Sequence, residues 1–242
     1  MNSFLIFLKI FAFLTLFLGV RYFLFAGGMH FLVNYLHRRG GGYQRIQKKI
    51  PARKDMRREV IHSLSTILVF AGAYSIIFFP TVLKQTQIYF HVSDRGWPWL
   101  ILSFPLLIFV HETYFYWMHR FLHRPRVFRA AHRVHHLSMN PTAWTAQSFH
   151  PLEAFLEVIW IVPIVFLLPL HWVVLLAFSF FSLTSNIFGH SGIEIYSKES
   201  KPSWLNRWMN TSTHHNLHHQ NHLGNYGLYF RFWDVWMKTE RL

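Results

Sequence analysis

The sequence predicts an all-α integral membrane protein, with four to five membrane-embedded helices under a cytoplasmic, histidine-rich helical cap. Three observations predict it. The 242 residues are 52% hydrophobic and 19% aromatic but only 14% charged, which is more apolar than an ordinary soluble domain. Long apolar runs recur at 3–36, 60–83, 96–118 and 154–188. Two short stretches, HETYFYWMHRFLHRPRVFRAAHRVHH (111–136) and THHNLHHQNH (213–222), hold six and five of the 18 histidines.

Residues 3–36 exceed the roughly 20 apolar residues that a spanning helix needs, and only Lys9 and Arg21 interrupt them. A cleaved leader would combine a basic start, a shorter apolar core and a small-residue cleavage site; none is clear here, so the run is read as a retained span. The loop at 37–59 follows, carrying Arg38, Arg39, Arg45, Lys48, Lys49, Arg53, Lys54, Arg57 and Arg58. By the positive-inside rule this loop is cytoplasmic, which puts the N-terminus on the far side. The GGG at 40–42 follows no predicted strand and reads as a flexible loop rather than a phosphate cradle.

Residues 60–83 form the second span and 96–118 the third, the latter opening on the interfacial residues Trp97 and Trp99. Two crossings return the chain to the cytoplasm, where the first histidine stretch emerges. Pro163, Pro169 and His171 break the run at 154–188, which reads as two short spans or a re-entrant hairpin. Either crosses an even number of times and keeps both histidine stretches on one face. With no internal repeat and no low-complexity linker, a single domain, 1–242, is expected. Residues 1–110 are mainly its membrane frame and 111–242 its histidine-rich region.

Lysine and arginine number 24 against 10 acidic residues, a net charge of +14. Such a balance suits nucleic acid or anionic lipid, and the apolar runs favour lipid and argue against nucleic acid. There is no cysteine, which excludes disulfides, thiolate zinc, iron–sulfur clusters and thiolate haem. A bound metal would therefore sit on histidine, carboxylate or backbone oxygen.

His119 and His123 lie four residues apart at the end of the third span. Four helical residues advance about 400°, so both rings point to one side about one turn apart. Pro125 suits the first position of a new helix, which would carry Phe128, Ala131, His132, His135 and His136. There H-x-x-H-H makes a three-ring claw, repeated at His215, His218 and His219. These eight histidines exceed the roughly four ligands of one tetrahedral zinc, so two metals sharing a site is the economical reading. Imidazole suits iron, zinc, copper and nickel alike and leaves the element open. Glu112, Glu153, Glu157, Glu194 and Asp234 are expected to be acceptors that fix histidine tautomers. Trp144, Phe149, Phe181 and Tyr226 are candidate cavity walls.

The motifs HETYFYWMHRFLHRP, FRAAHRVHHLSMNPTAW, FHPLEA, NIFGHSGIE and THHNLHHQNHLGNYGLYFRFWD follow in order from His111 to Asp234. In these motifs the chain resembles the membrane fatty acid hydroxylase and sterol desaturase superfamily. The resemblance implies a non-haem di-iron centre at the cytoplasmic face that uses dioxygen and two electrons to hydroxylate or desaturate a lipid chain or sterol ring. Zinc would be a substitute in purified protein. The ligands it implies are His119, His123, His132, His135, His136, His190, His215, His218 and His219. Some members carry a further histidine four residues before the position of His190. Here that residue is Asn186, so a tenth ligand falls to Asn186, His111, His150 or water. Glu112 stands where the family often has Asp, and WMKT at 236–239 where it often ends near Gly-Thr; neither touches the claws.

No dinucleotide fingerprint follows a predicted strand, so electrons are expected from a separate carrier protein. The basic loop with Arg120, Arg124, Arg126, Arg129 and Arg133 suits an acidic donor or lipid headgroups. A metal transporter is the non-enzyme rival, but transporters keep ionisable groups within spans near the midplane. A zinc hydrolase is a second rival, and it would use about three protein ligands. The sequence does not choose between cell inner membrane and endoplasmic reticulum, nor name the lipid.

Overall fold

The computed structural model describes residues 2–39, 44–47, 51–194 and 208–241. Among them, four helices are long and apolar enough to cross a membrane: α1 (Ser3–Arg39), α2 (Arg53–Ile77), α4 (Gly96–Leu122) and α9 (Trp172–Gly189). The chain is an integral membrane protein, and its outward faces agree. Phe4, Phe13, Leu16, Leu24 and Phe31 of α1 are exposed, large apolar side chains suited to lipid and not to water.

Shorter helices fill the connections: α3 (Pro80–Leu83), α5 (Pro125–Val127), α6 (Arg133–His136), α7 (Pro151–Ile159), α8 (Ile161–Leu167), α10 (Ser212–Asn221) and α11 (Phe232–Trp236). A π-helical turn, Phe128–His132, joins α5 to α6. Two small strand pairs complete the description. β1 (Gln44–Arg45) runs antiparallel to β4 (Ile193–Glu194), and β2 (Ile88–Tyr89) runs parallel to β3 (Leu170–His171).

The core has two main blocks. Tyr22, Ile67, Ala71, Leu183 and Ile187 join α1, α2 and α9, while Leu107, Trp160, Val165, Val174 and Phe178 join α4, α8 and α9. Within the first block the buried Arg21 guanidinium donates to the Ser179 carbonyl at 2.7 Å and to the Ser179 hydroxyl, stapling α1 to α9. Helix α9 therefore shares a face with every other spanning helix or with a neighbour of it. That places its C-terminus beside the end of α4.

Boundaries differ from the sequence reading in three places. Helix α2 ends at Ile77 rather than running to residue 83, because Pro80 lacks an N–H and holds Phe79 extended (φ −64°, ψ 131°) before a new short helix. It also begins at Arg53, so Arg53, Lys54, Arg57 and Arg58 of the basic loop are helical. The run at 154–188 is a hairpin in which only α9 is long enough to span, since α7 and α8 are nine and seven residues long. The glycines at 40–42 lie outside the described residues.

One buried carboxylate fixes the loop that follows the first claw. Glu59 of α2 accepts from the Ser138 hydroxyl at 2.7 Å and the Thr142 hydroxyl at 2.6 Å. Replacing Glu59 with Ala strands both hydroxyls in a dry interior, at a cost of roughly 2–4 kcal/mol. Glu59→Ala is expected to lower the thermal unfolding temperature of the detergent-solubilised protein, whereas a surface change such as Lys84→Ala is not.

Candidate metal centre

The last turn of α4 carries His119, and His123 caps it. Helix α9 ends in the same way, with Asn186 in its last turn and His190 as cap. The claws sit on α5–α6 with their π-helical turn and on α10. Together these four elements gather nine imidazoles into two adjacent groups. His119, His123, His132, His136 and His218 form the first; His135, His190, His215 and His219 form the second. Within each group the candidate ligand atoms lie within 4.8 Å of one another. The groups touch, with the ring centroids of His136 and His219 4.7 Å apart.

Each claw is shared between the groups rather than devoted to one ion. His132 and His136 face the first group while His135 faces the second; His215 and His219 face the second while His218 faces the first. Helical geometry accounts for this. Residues i and i+4 differ by about 40° around the axis, whereas i+3 falls about 60° to the other side, so the claw straddles two positions.

Tautomers decide what the groups hold. The Nδ1 of His119 donates to the Tyr226 carbonyl at 2.8 Å, that of His218 to the Gly224 carbonyl at 2.7 Å, and that of His190 to the Asn186 carbonyl at 2.7 Å. A carbonyl only accepts, so each of these neutral rings turns an unprotonated Nε2 inward. His132 Nδ1 pairs with Glu153 at 2.7 Å. His132 Nε2 then lies 3.0–3.2 Å from the Nε2 atoms of His119, His123 and His136. His190 Nε2 likewise lies 2.9–3.3 Å from those of His135, His215 and His219.

One lone pair cannot accept from three donors at once, and His218 Nε2 is buried with no partner at all. Convergent bare nitrogens repel unless a cation lies among them. Metal–imidazole bonds of about 2.1 Å set neighbouring donors about 3 Å apart, the spacing found in both groups. The residues fit a pair of transition-metal ions.

Burial sets the protonation state. Desolvation, then the neighbouring imidazoles, hold His132, His135, His136, His215 and His219 well below the ordinary value, and the same causes act on His218. Desolvation lowers His190 to about 4. All are neutral at pH 7 and ready to bind metal without losing a proton. Glu153 is pushed well above the usual carboxylate range, first by burial and then by Glu157; a cation on His132 would oppose that shift.

The remaining sequence candidates fall elsewhere. His111 is buried, but its Nδ1 pairs with the Tyr229 hydroxyl at 2.9 Å and it joins neither group. His150 caps α7, its Nδ1 accepting from the Leu152 N–H. Asn186 lines a small cavity with Phe115, Phe149, Glu153, Glu157 and histidines of both groups, His119 and His132 of the first and His135, His190 and His215 of the second. Phe149 and Tyr226 lie against the histidines, as expected of walls. Trp144 packs instead on Tyr22 and Gly27 of α1, and Phe181 on Phe104 and Tyr229.

Of the five carboxylates, only Glu153 bonds a histidine of the two groups. Glu112 accepts from the Leu228 and Tyr229 N–H groups, Asp234 from those of Tyr226 and Gly227, and Glu194 from Thr213. They pin backbone, and that backbone presents the Tyr226 and Gly224 carbonyls. Sequence patterns did not signal those carbonyls, because any residue carries one. Gly224 alone left a trace: its φ is +77° and an added Cβ would collide with the Thr239 carbonyl.

Neutral buried imidazoles make stability depend on pH. In the unfolded chain they take up protons near pH 6.5, while in the folded chain His190 waits until about pH 4. The unfolded state therefore binds more protons below about pH 6.5, and folded stability falls as pH falls from there toward about 4. Metal-free protein is expected to unfold at a lower temperature at pH 5.5 than at pH 7.5. Equal temperatures in detergent would contradict the arrangement.

Comparison with known proteins places these elements. The profile of the family described as "Fatty acid hydroxylase" matches residues 104–239, a stretch holding all nine imidazoles. The chain is 30% identical over 211 residues to the Delta(7)-sterol 5(6)-desaturase erg3C of Aspergillus fumigatus, covering 77% of this chain and 63% of that protein. It is 28% identical over 186 residues to the lathosterol oxidase of Mus musculus, covering 75% and 60%. With methylsterol monooxygenase 1 of Danio rerio it shares 32% over 146 residues, covering 60% and 48%. The chain spans about half to three fifths of the length of these relatives, and no solved structure matches it. Because the matched profile covers more than half of the chain and takes in both histidine groups with the helix ends that carry them, the chain belongs to the fatty acid hydroxylase family.

Proposed function

We propose that this protein is a membrane di-iron oxygenase that hydroxylates or desaturates a lipid, with a sterol-like substrate favoured. One observation carries the reading: two touching groups of neutral, buried imidazoles with converging bare nitrogens, set at the ends of membrane-crossing helices. Imidazole alone suits several metals, but zinc has no redox chemistry and closes with about four ligands. The relatives named above are sterol desaturases and a methylsterol monooxygenase, whose names describe oxidations. Iron therefore fits better than zinc, which would occupy the groups only as a substitute in purified protein.

The nine imidazoles would hold two iron ions, which when bound supply dioxygen activation and hydrogen abstraction. Hydroxylation consumes dioxygen, two electrons and two protons and yields an alcohol and one water. Desaturation consumes the same and yields an alkene and two waters. The protein's part is to hold the nitrogens in place, keep the centre dry and orient the lipid. Tyr226, Gly224, Asn186 and Glu153 fix ring orientation through the Nδ1 atoms. Phe115 and Phe149 present apolar surface where the cavity meets the imidazoles, so a hydrocarbon chain or ring would pass between α4, α7 and α9 to reach them.

The basic segment supports a cytoplasmic centre. β1, inside that segment, pairs with β4 three residues beyond His190, and Gln47 donates to the Pro141 carbonyl and to Asn216 of α10. Whichever side holds the basic segment holds the centre too, and the positive-inside rule assigns that side to the cytoplasm. Electrons would come from a separate carrier, docking where Arg124, Arg126, Arg129 and Arg133 are exposed.

Purified protein is expected to hold two iron ions per chain, and His132→Ala or His190→Ala to remove most of that iron, by elemental analysis. Cells expressing the chain under 18-oxygen gas are expected to accumulate a lipid that is labelled or newly unsaturated, and His190→Ala cells are not. Metal uptake into vesicles without oxygen consumption would instead assign a transporter.

A further inference from the structure

The two histidine groups are built twice from one plan. Helix α4 supplies residues i and i+4 at its end, His119 and His123, with the His123 N–H donating to the His119 carbonyl at 3.2 Å. Helix α9 supplies Asn186 and His190 at the same two places, with the His190 N–H donating to the Asn186 carbonyl at 3.2 Å. The first claw gives an i, i+4 pair to the first group and its i+3 ring to the second, and the second claw does the reverse. The plan has ten places, five for each group. Nine hold histidine, and Asn186 stands where His119 stands.

The exchange matters because of where Asn186 points. Its amide nitrogen donates to the Ala146 carbonyl at 2.7 Å, which ties the side chain to the loop before α7. It borders the cavity lined by His135, His190 and His215 of the second group and by His119 and His132 of the first, together with Phe115 and Phe149. His119, its counterpart, brings a bare Nε2 to 3.2 Å from His132 Nε2. An amide oxygen is a weaker partner than imidazole for the metals that histidine favours, and a metal that takes in small molecules keeps a position free of protein donors.

We propose that Asn186 leaves the second group one donor short where it borders the shared cavity, so that of two metals facing that cavity the one held by four imidazoles, and not the one held by five, takes up a small exogenous molecule. This inference rests on the two-metal reading above. It makes Asn186 a positioning residue: it selects which of the two metals keeps a position for an exogenous ligand.

The test uses full-length protein loaded with ferric iron in detergent, with azide as the probe. Iron is counted first, and a wild-type chain that does not hold two ions overturns the two-metal reading itself. Given two ions, azide titration followed by its charge-transfer absorbance is expected to show one azide per chain. Asn186→His is expected to keep both ions and weaken azide about tenfold or more, while Asn186→Ala keeps both ions with azide affinity within about threefold of wild type. The reciprocal change, His119→Asn, opens the first group in the same way and is expected to raise azide binding to two per chain. Loss of one ion in Asn186→Ala would make the amide a ligand and overturn the proposal. So would wild-type azide affinity in Asn186→His or a single azide in His119→Asn.

Discussion

The structure depends on a repulsion. Neutral imidazoles from four separate segments point unprotonated nitrogens at one another across about 3 Å, and unaided they would turn away. Four of the nine rings, His119, His132, His190 and His218, are held by their other nitrogen. The Tyr226, Gly224 and Asn186 carbonyls and the Glu153 carboxylate do this, and each is held in turn. Asp234 and Glu112 grip the backbone on either side of Gly227, and the Asn225 N–H is bonded to the Thr239 carbonyl. Buried acids that would be costly alone are spent on backbone donors next to the centre.

The membrane frame is the second layer of the same restraint. Helices α4 and α9 end side by side because the apolar residues of both pack on α8 and on one another, and α2 holds the loop after the first claw through Glu59. Rigid spans thus deliver two of the four segments, and the other two are short helices laid across their ends. Such an arrangement separates tasks. Lipid-facing residues of α1 vary no contact in the centre, while a shift in Glu112, deep in α4, would reach His119 through residues 226–229.

Much of this was legible in the chain. The apolar runs gave the spans, and the spacings at 119–123, 132–136 and 215–219 marked three of the four i, i+4 positions without any coordinates. The sharing of each claw between two groups was present in the same spacing, since i+3 and i+4 lie about 100° apart on a helix, but a claw read as one face hides it. What was not legible is long-range. Glu59 meets Ser138 and Thr142 about eighty residues on, and Gln47 meets Asn216 across 169, and neither contact leaves a local pattern. Of the carboxylates expected to fix histidine tautomers, Glu153 does so, while Glu112, Asp234 and Glu194 accept from backbone N–H groups instead, because a short sequence window does not say whether an acid will meet a ring or a peptide N–H.

The return of residues 224–239 to the end of α4 carries a consequence for biogenesis. Three of the nine imidazoles lie on α10, and the carbonyls that orient His119 and His218 arrive only with residues 224–226. The spanning helices can enter the bilayer one after another as the ribosome delivers them, yet the contacts that orient His119 and His218 can form only after residues 224–226 are made, and the Asn225–Thr239 bond that holds those residues only after Thr239. A metal bound by these groups would therefore be captured late in the life of the chain. Until then, the early histidines wait as a loose set that a scavenging ion could occupy wrongly.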